Sequence, residues 1–186
     1  MQTFSKWISK QKLSWRVERY SSKLTQAQVR SNIYKAFNYW SSVTNIEFIE
    51  QSSGVVDIPI SFVTYSHGDG DPFDGLGGTL AHAYYPENGD IHMDDSENWT
   101  LGVNYGTNFL QTLTHEIGHS IGLQHSSVYD AVMFPFAGPY NSNFRLHQND
   151  ISKNNNKECK ASYARLLRYL EKCCKAQLNL VQVSTL

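Results

Sequence analysis

A chain of 186 residues, 40% hydrophobic and 13% aromatic, is long enough for one domain with a sizeable core. Its formal net charge of -1 is unevenly spread, because residues 151–186 carry seven Lys or Arg against two Glu, or +5, which leaves -6 for residues 1–150. The acidic part suits divalent cations and argues against a nucleic-acid partner, and no apolar run approaches the roughly 18 residues that span a bilayer.

In chain order, Leu13, Trp15 and Val17 alternate as in a half-buried strand. Thr25-Gln26-Ala27-Gln28 is a capping-box signature, and the helix it opens carries Val29, Ile33, Phe37 and Trp40 at helical spacing, as core. Ile58, Ile60 and Phe62 alternate again, and the segments Thr79 to Tyr84 and Asp90 to Met93 read as further strands. The pattern predicts an α+β domain, and in the basic end, residues 152–186, Tyr163, Leu166, Leu167 and Leu170 have the spacing of an amphipathic helix. Cys159, Cys173 and Cys174 all lie in that tail. An odd count with two adjacent is no disulfide framework and leaves free thiols or intermolecular pairing open.

Between the strands and the tail, residues 115–125 read His-Glu-Ile-Gly-His-Ser-Ile-Gly-Leu-Gln-His, or HExxHxxGxxH. Helical residues advance by about 100° each, so His115 and His119 lie roughly 40° apart, close enough for both rings to reach one ion. Glu116 then points to the side of that ion. There it is placed as general base toward a water and as general acid toward a leaving amine, not as a ligand. On a continued helix His125 would sit about 240° from His119, so the helix must stop, and Gly122 stands where a positive φ lets the chain double back. HExxH alone occurs by chance on amphipathic helices. The added glycine and third histidine point to a zinc site with three protein ligands and one open position, the arrangement of hydrolytic zinc. Met133, in Ala131-Val132-Met133-Phe134-Pro135, is placed as an apolar floor beneath the imidazoles.

From Trp7 to Ile151 the chain resembles the matrixins, the catalytic domains of matrix metalloproteinases within the metzincin clan. The resemblance is carried by Ser126 directly after His125, by Ala36-Phe37 with Trp40-Ser41 before Val43-Thr44, and by His67-Gly68-Asp69. Pro72-Phe73-Asp74-Gly75 with Gly77-Gly78, and Leu80-Ala81-His82-Ala83, follow in the family's order. It implies a metzincin-like, zincin-like fold: a twisted mixed sheet of about five strands, two to three helices and an active-site cleft. It also implies a second, structural zinc held by His67, Asp69, His82 and His92, a closed set of three nitrogens and one oxygen. Surface loop histidines are the alternative, since that spacing matches no short zinc motif. A calcium site is implied at Asp74, Gly75, Gly77, Thr79, Asp94 and Glu97. A second set maps onto Asp57, Gly89 and Asp90, where solvated loop acids are the alternative.

By the same resemblance the strand at Leu80 and Ala81 borders the cleft and pairs with an extended substrate. Gln111, four residues before His115, and Pro135-Phe136 line the pocket beside the zinc. Two departures stand out. Pro135-Phe136-Ala137 replaces the family's Pro-x-Tyr, with Tyr140 or Phe136 as substitutes for the missing ring, and after Asp150-Ile151 nothing matches the family's closing helix. Asn98-Trp99-Thr100 is a formal glycosylation acceptor. Residues 1–10 lack an apolar signal region, and no propeptide cysteine motif or propeller domain is found, as in a mature or truncated catalytic domain. The expected function is a zinc metalloendopeptidase that hydrolyses extracellular or matrix proteins. It is expected to be secreted, monomeric and partnered by a protein or peptide substrate. The alternative is a catalytically silent zinc-binding module with a cleft spoiled by the altered C-terminus.

Overall fold

A computed structural model describes Trp7 and residues 10–154. The contact pattern divides the chain after Ile151, and the architecture below is that of the first unit. Five strands form one mixed sheet in the order β2-β1-β3-β5-β4: β1 Lys12–Arg19, β2 Glu47–Glu50, β3 Ile58–Val63, β4 Ala81–Ala83 and β5 Ile91–Asp94. β1, β2, β3 and β5 run parallel, and only β4 pairs antiparallel with its neighbour β5, through Ala81↔Met93, His82↔His92 and Ala83↔Ile91. β4 therefore leaves one side of its backbone as a sheet edge, the position from which another strand can be added.

The strands at 13–17 and 58–62 and the helix after Thr25 follow the sequence pattern. Leu13, Trp15, Ile58, Ile60 and Phe62 are buried. α1 spans Gln26–Ser41, and its capping box is complete: Thr25 accepts from the Gln28 backbone and Gln28 accepts from the Thr25 backbone. Its inward stripe, Val29, Ile33, Ala36, Phe37 and Trp40, meets α2, Phe109–Ser120, and the Trp40 indole donates to Thr114 O at 2.8 Å across the buried seam. β4 is shorter than the segment 79–84 suggested. β2 escaped the sequence pattern because Glu47 and Glu50 end a strand of four residues, too short to show alternation. A two-residue parallel pair, β6 Trp99–Thr100 with β7 Thr107–Asn108, leads into α2.

α3, Gln148–Asn154, closes the described chain. The helical spacing at Tyr163 to Leu170 and the three cysteines lie outside the described residues.

Candidate metal centre and cleft

α2 begins at an Asn108 cap that accepts from Gln111 N at 3.1 Å, and it carries Gln111, His115 and His119 one turn apart along one face. Its end is a Schellman turn: Gly122 N donates to His119 O at 2.8 Å and Leu123 N to Gly118 O at 2.8 Å, with Gly122 at φ +104°. That reversal delivers His125. The Nε2 atom of His119 then lies 3.0 Å from that of His115 and 3.1 Å from that of His125.

The opposite nitrogens of two rings are already committed. His115 Nδ1 donates to Val132 O at 2.7 Å and His119 Nδ1 to Leu123 O at 2.8 Å, which fixes the tautomers and leaves Nε2 as a lone pair in each. Lone pairs gathered at this distance repel unless a cation lies among them. Ligands about 2.0–2.1 Å from zinc in a tetrahedron stand roughly 3.3 Å apart, so the donor set fits zinc. Burial holds both imidazoles below their ordinary pKa, His119 down to about 3 with help from neighbouring His115, which favours the neutral ligand form. Glu116 is buried too, and desolvation pushes its carboxyl up to about 8. A dication at the imidazoles opposes that shift.

Two residues that support this cluster went unread in the sequence. Asp150 is fully buried and its carboxylate accepts from Val132 N at 2.9 Å, Met133 N at 3.1 Å and His147 N at 2.9 Å, so it pins the turn whose carbonyl orients His115. Gly118 has no room for a side chain, because a Cβ there would come 2.2 Å from the Met133 sulfur. Met133 is thus packed directly against the α2 backbone. A glycine inside a helix costs about 1 kcal/mol relative to alanine, and that was the available signal.

The second cluster gathers His67, Asp69, His82 and His92, with ligand atoms all within 4.8 Å of one another. Asp69 Oδ2 lies 2.8 Å from His67 Nε2, 2.9 Å from His82 Nε2 and 2.8 Å from His92 Nδ1, while His67 Nδ1 is held by Tyr65 O at 2.7 Å. Burial works to raise the Asp69 carboxyl, yet donation from Asp71 N, His82 and His92 keeps it well below the usual range. Three nitrogens and one oxygen are a donor set of the kind that can hold zinc.

The remaining predicted residues divide. Asp94 and Glu97 are buried. Glu97 accepts from Gly77 N and from Thr107 Oγ1 at 2.8 Å, and Asp94 Oδ2 is buried with no hydrogen-bond partner, an orphan oxygen that suits a hard cation. Asp74 is exposed and accepts from Thr79 N at 3.1 Å. Gly75 lies against the Tyr65 ring, and its Cβ would be 3.4 Å from it. Asp57 is otherwise engaged: Lys10 holds one oxygen at 2.5 Å, and Ser14 N and Oγ hold the other at 2.9 Å. Gly89 abuts the Asp57 carbonyl and Trp7, and Asp90 is half-buried with its carboxyl raised by desolvation.

Around the cleft, Leu80 and Ala81 are partly buried beside the free edge of β4. Pro135 and Phe136 are exposed, and the Phe136 ring stands 5.9 Å from that of Phe134. Gln111 lines a cavity with Leu110 and Tyr140 and is also a tether. Its amide donates to Pro139 O at 3.3 Å and accepts from Asn141 N at 2.7 Å, tying the segment past the Met133 turn to α2. Tyr140, the other candidate, lies across the chain from Gly102, whose Cβ would be 3.6 Å from the Tyr140 hydroxyl.

A family model described as Matrixin matches residues 6–156. The chain is 46% identical over 147 residues to the hatching enzyme of Paracentrotus lividus, covering 78% of this chain and 25% of that protein. It is 46% identical over 150 residues to matrilysin of Felis catus, covering 78% and 57%, and 46% identical over 127 residues to stromelysin-3 of Mus musculus, covering 67% and 26%. The chain therefore spans between a quarter and little more than half the length of these relatives.

Proposed function

This chain belongs to the matrixin family, and from that premise we propose that it is a zinc-dependent metalloendopeptidase acting on extracellular or matrix proteins. The observation that carries the reading is the convergence of the three Nε2 atoms of His115, His119 and His125, with the buried carboxylate of Glu116 next to His115 on α2. His115, His119 and His125 would hold the catalytic zinc. When bound, it acts as a Lewis acid toward the scissile carbonyl and makes water more acidic.

The chain's own residues supply the rest. Glu116 accepts a proton from the attacking water and passes one to the departing amine. β4 offers its free edge at Leu80 and Ala81, so an extended peptide lies as an added strand across the three imidazoles. His67, Asp69, His82 and His92 would hold a second zinc, a four-donor set suited to a structural role. Asp94 and Glu97, with Asp74 and the carbonyls of Gly75, Gly77 and Thr79, hold calcium, and the unpartnered Asp94 Oδ2 supports this. The reading does not extend to Asp57, whose oxygens are already engaged.

The test is cleavage of a quenched fluorescent peptide by the purified, zinc-loaded chain, with chelator and Glu116→Ala as controls. Activity lost in both supports the enzyme. Stoichiometric zinc without cleavage would instead assign a silent zinc-binding module.

A further inference from the structure

The chain from Ala81 to Tyr85 alternates sides, as an extended strand must. His82 and Tyr84 face the closed cluster: their rings stand 5.8 Å apart, and Tyr84 is 6.1 Å from His92. Ala81 and Ala83 pack against the core, and Tyr85, two residues on, stands against His119 of α2. The Tyr85 ring stands edge-on to His119, with centroids 5.6 Å apart and planes at 84°, and 43% of the residue is exposed.

Its place along the cleft follows from α2. Gln111, His115 and His119 are successive turns of one helix face, so Gln111 marks one end and His119 the other. Tyr85, standing against His119, therefore lies toward the end of that face away from Gln111. Its support is rigid. Tyr85 O accepts from Asn88 N at 3.1 Å, Tyr84 N donates to Asp90 O at 2.9 Å, and Gly89 O accepts from Ser120 Oγ at 2.8 Å. Ser120 O in turn accepts from the Trp7 indole at 2.9 Å, so the loop is fastened to α2 one residue past His119.

We propose that Tyr85 is a specificity-determining residue: its ring receives an apolar or aromatic side chain of the bound peptide at the end of the cleft opposite Gln111. This rests on the peptidase reading above. A half-exposed ring held in place before substrate arrives stacks without first losing rotamer freedom, and aromatic pairs add about 0.5–1.5 kcal/mol beyond area burial. That corresponds to roughly a 2- to 10-fold preference at one substrate position.

The experiment measures dissociation constants of zinc-loaded wild type, Tyr85→Phe, Tyr85→Leu and Tyr85→Ala for reduced-amide peptides, which cannot be cleaved, scanned with Ala and Phe at each position. Zinc content and melting temperature are recorded for each variant, and kcat and KM are read on the cleavable counterparts. The expected result is a Phe-over-Ala preference of roughly 2- to 10-fold at one position on the side away from Gln111. Tyr85→Phe keeps it, Tyr85→Ala and Tyr85→Leu reduce it to within about 2-fold, and the loss appears in KM rather than kcat. If Tyr85→Ala does not fold, Tyr85→Leu decides. The proposal is overturned if the preference survives in Tyr85→Leu, if all positions weaken equally, or if Tyr85→Phe lowers kcat, which would give the hydroxyl a role in the chemistry. Selective binding by a wild type that cleaves nothing would sink the peptidase reading and leave this one standing.

Discussion

In the cluster of His67, Asp69, His82 and His92 the carboxylate sits inside the group that converges, with one Asp69 oxygen 2.8–2.9 Å from each of three rings. In the cluster of His115, His119 and His125 the neighbouring carboxylate, Glu116, is not part of the converging group, although it is adjacent in sequence to a member of it. One residue's placement separates a group of four potential ligands from a group of three. The backbones differ accordingly. The closed set is assembled from a loop and the paired strands β4 and β5, so its geometry depends on the sheet, whereas two of the open set's rings ride on a single helix and the third follows one turn.

The strongest way to break this comparison is to neutralise each carboxylate in turn. Glu116→Gln in the zinc-loaded chain is expected to lower kcat by about 10²- to 10⁴-fold, the usual share of a general acid–base, while zinc content stays at the wild-type level. Asp69→Asn is expected to leave kcat within about 2-fold but to weaken the second zinc. A hundredfold weaker affinity removes about 2.7 kcal/mol of stability at saturating metal. For a domain of this size that is roughly 5–10 °C of melting temperature. Kinetics and calorimetry on both variants check the crossing pattern. If Asp69→Asn abolished turnover at full stability, the two sites would not divide their roles in this way.

Asp150 comes next in size. Its carboxylate accepts three backbone N–H groups while fully buried, and Asp150→Ala leaves all three without a partner, at about 1–3 kcal/mol each before relaxation. We expect a loss of about 3 kcal/mol or more, read by denaturant unfolding, with a smaller loss in Asp150→Asn, which keeps one acceptor oxygen. Because the pinned turn orients His115, the open site should lose zinc to a chelator sooner than in wild type, and the closed site should not. Equal release from both would show that Asp150 acts on the whole domain.

How far the sequence disclosed each region follows from the same contrast. The open cluster was legible because a helix maps sequence spacing onto angle: His115, His119 and the reversal at Gly122 could be placed by counting. His67, Asp69, His82 and His92 are brought together by sheet pairing, which no local spacing encodes, and they were reached through family resemblance. The role of Asp150 went unread because two of its three backbone partners lie 17 and 18 residues earlier, and the tether that the Gln111 amide makes is likewise a contact between distant segments. β1, β3 and α1 were readable from period alone, whereas β2 and the pair β6–β7 are too short to carry a period.

A pH series on the chelated protein sharpens the contrast through charge. Without metal, His119 has a folded pKa near 3 against an ordinary 6.5, so the folded state resists protonation and stability falls as pH drops below about 6.5. Glu116 moves the other way. Its folded value of about 8 against 4.5 means the folded state binds the extra proton, and stability falls as pH rises from about 4.5 through 8. Glu116→Gln removes that alkaline loss, so the metal-free variant should gain on metal-free wild type steadily as pH rises through this window. Parallel melting curves would mean that Glu116 is better solvated than its burial implies.

The smallest effect is expected at Gly122. At φ +104° an alanine meets the Cβ penalty of left-handed backbone, about 1–2 kcal/mol, in a turn that is already complete as a Schellman motif. Gly122→Ala should therefore fold with a modest loss of stability. Its consequence for the open cluster should exceed that loss, because the turn relaxes by rotating the segment that presents His125 while leaving His115 and His119 on their helix. The measurable signature is a weakened catalytic zinc beside an unchanged structural one, read by stepwise chelation. If both zinc ions were released as in wild type, the third ring would find its place independently of the turn, and the helix stop would be a feature of stability alone.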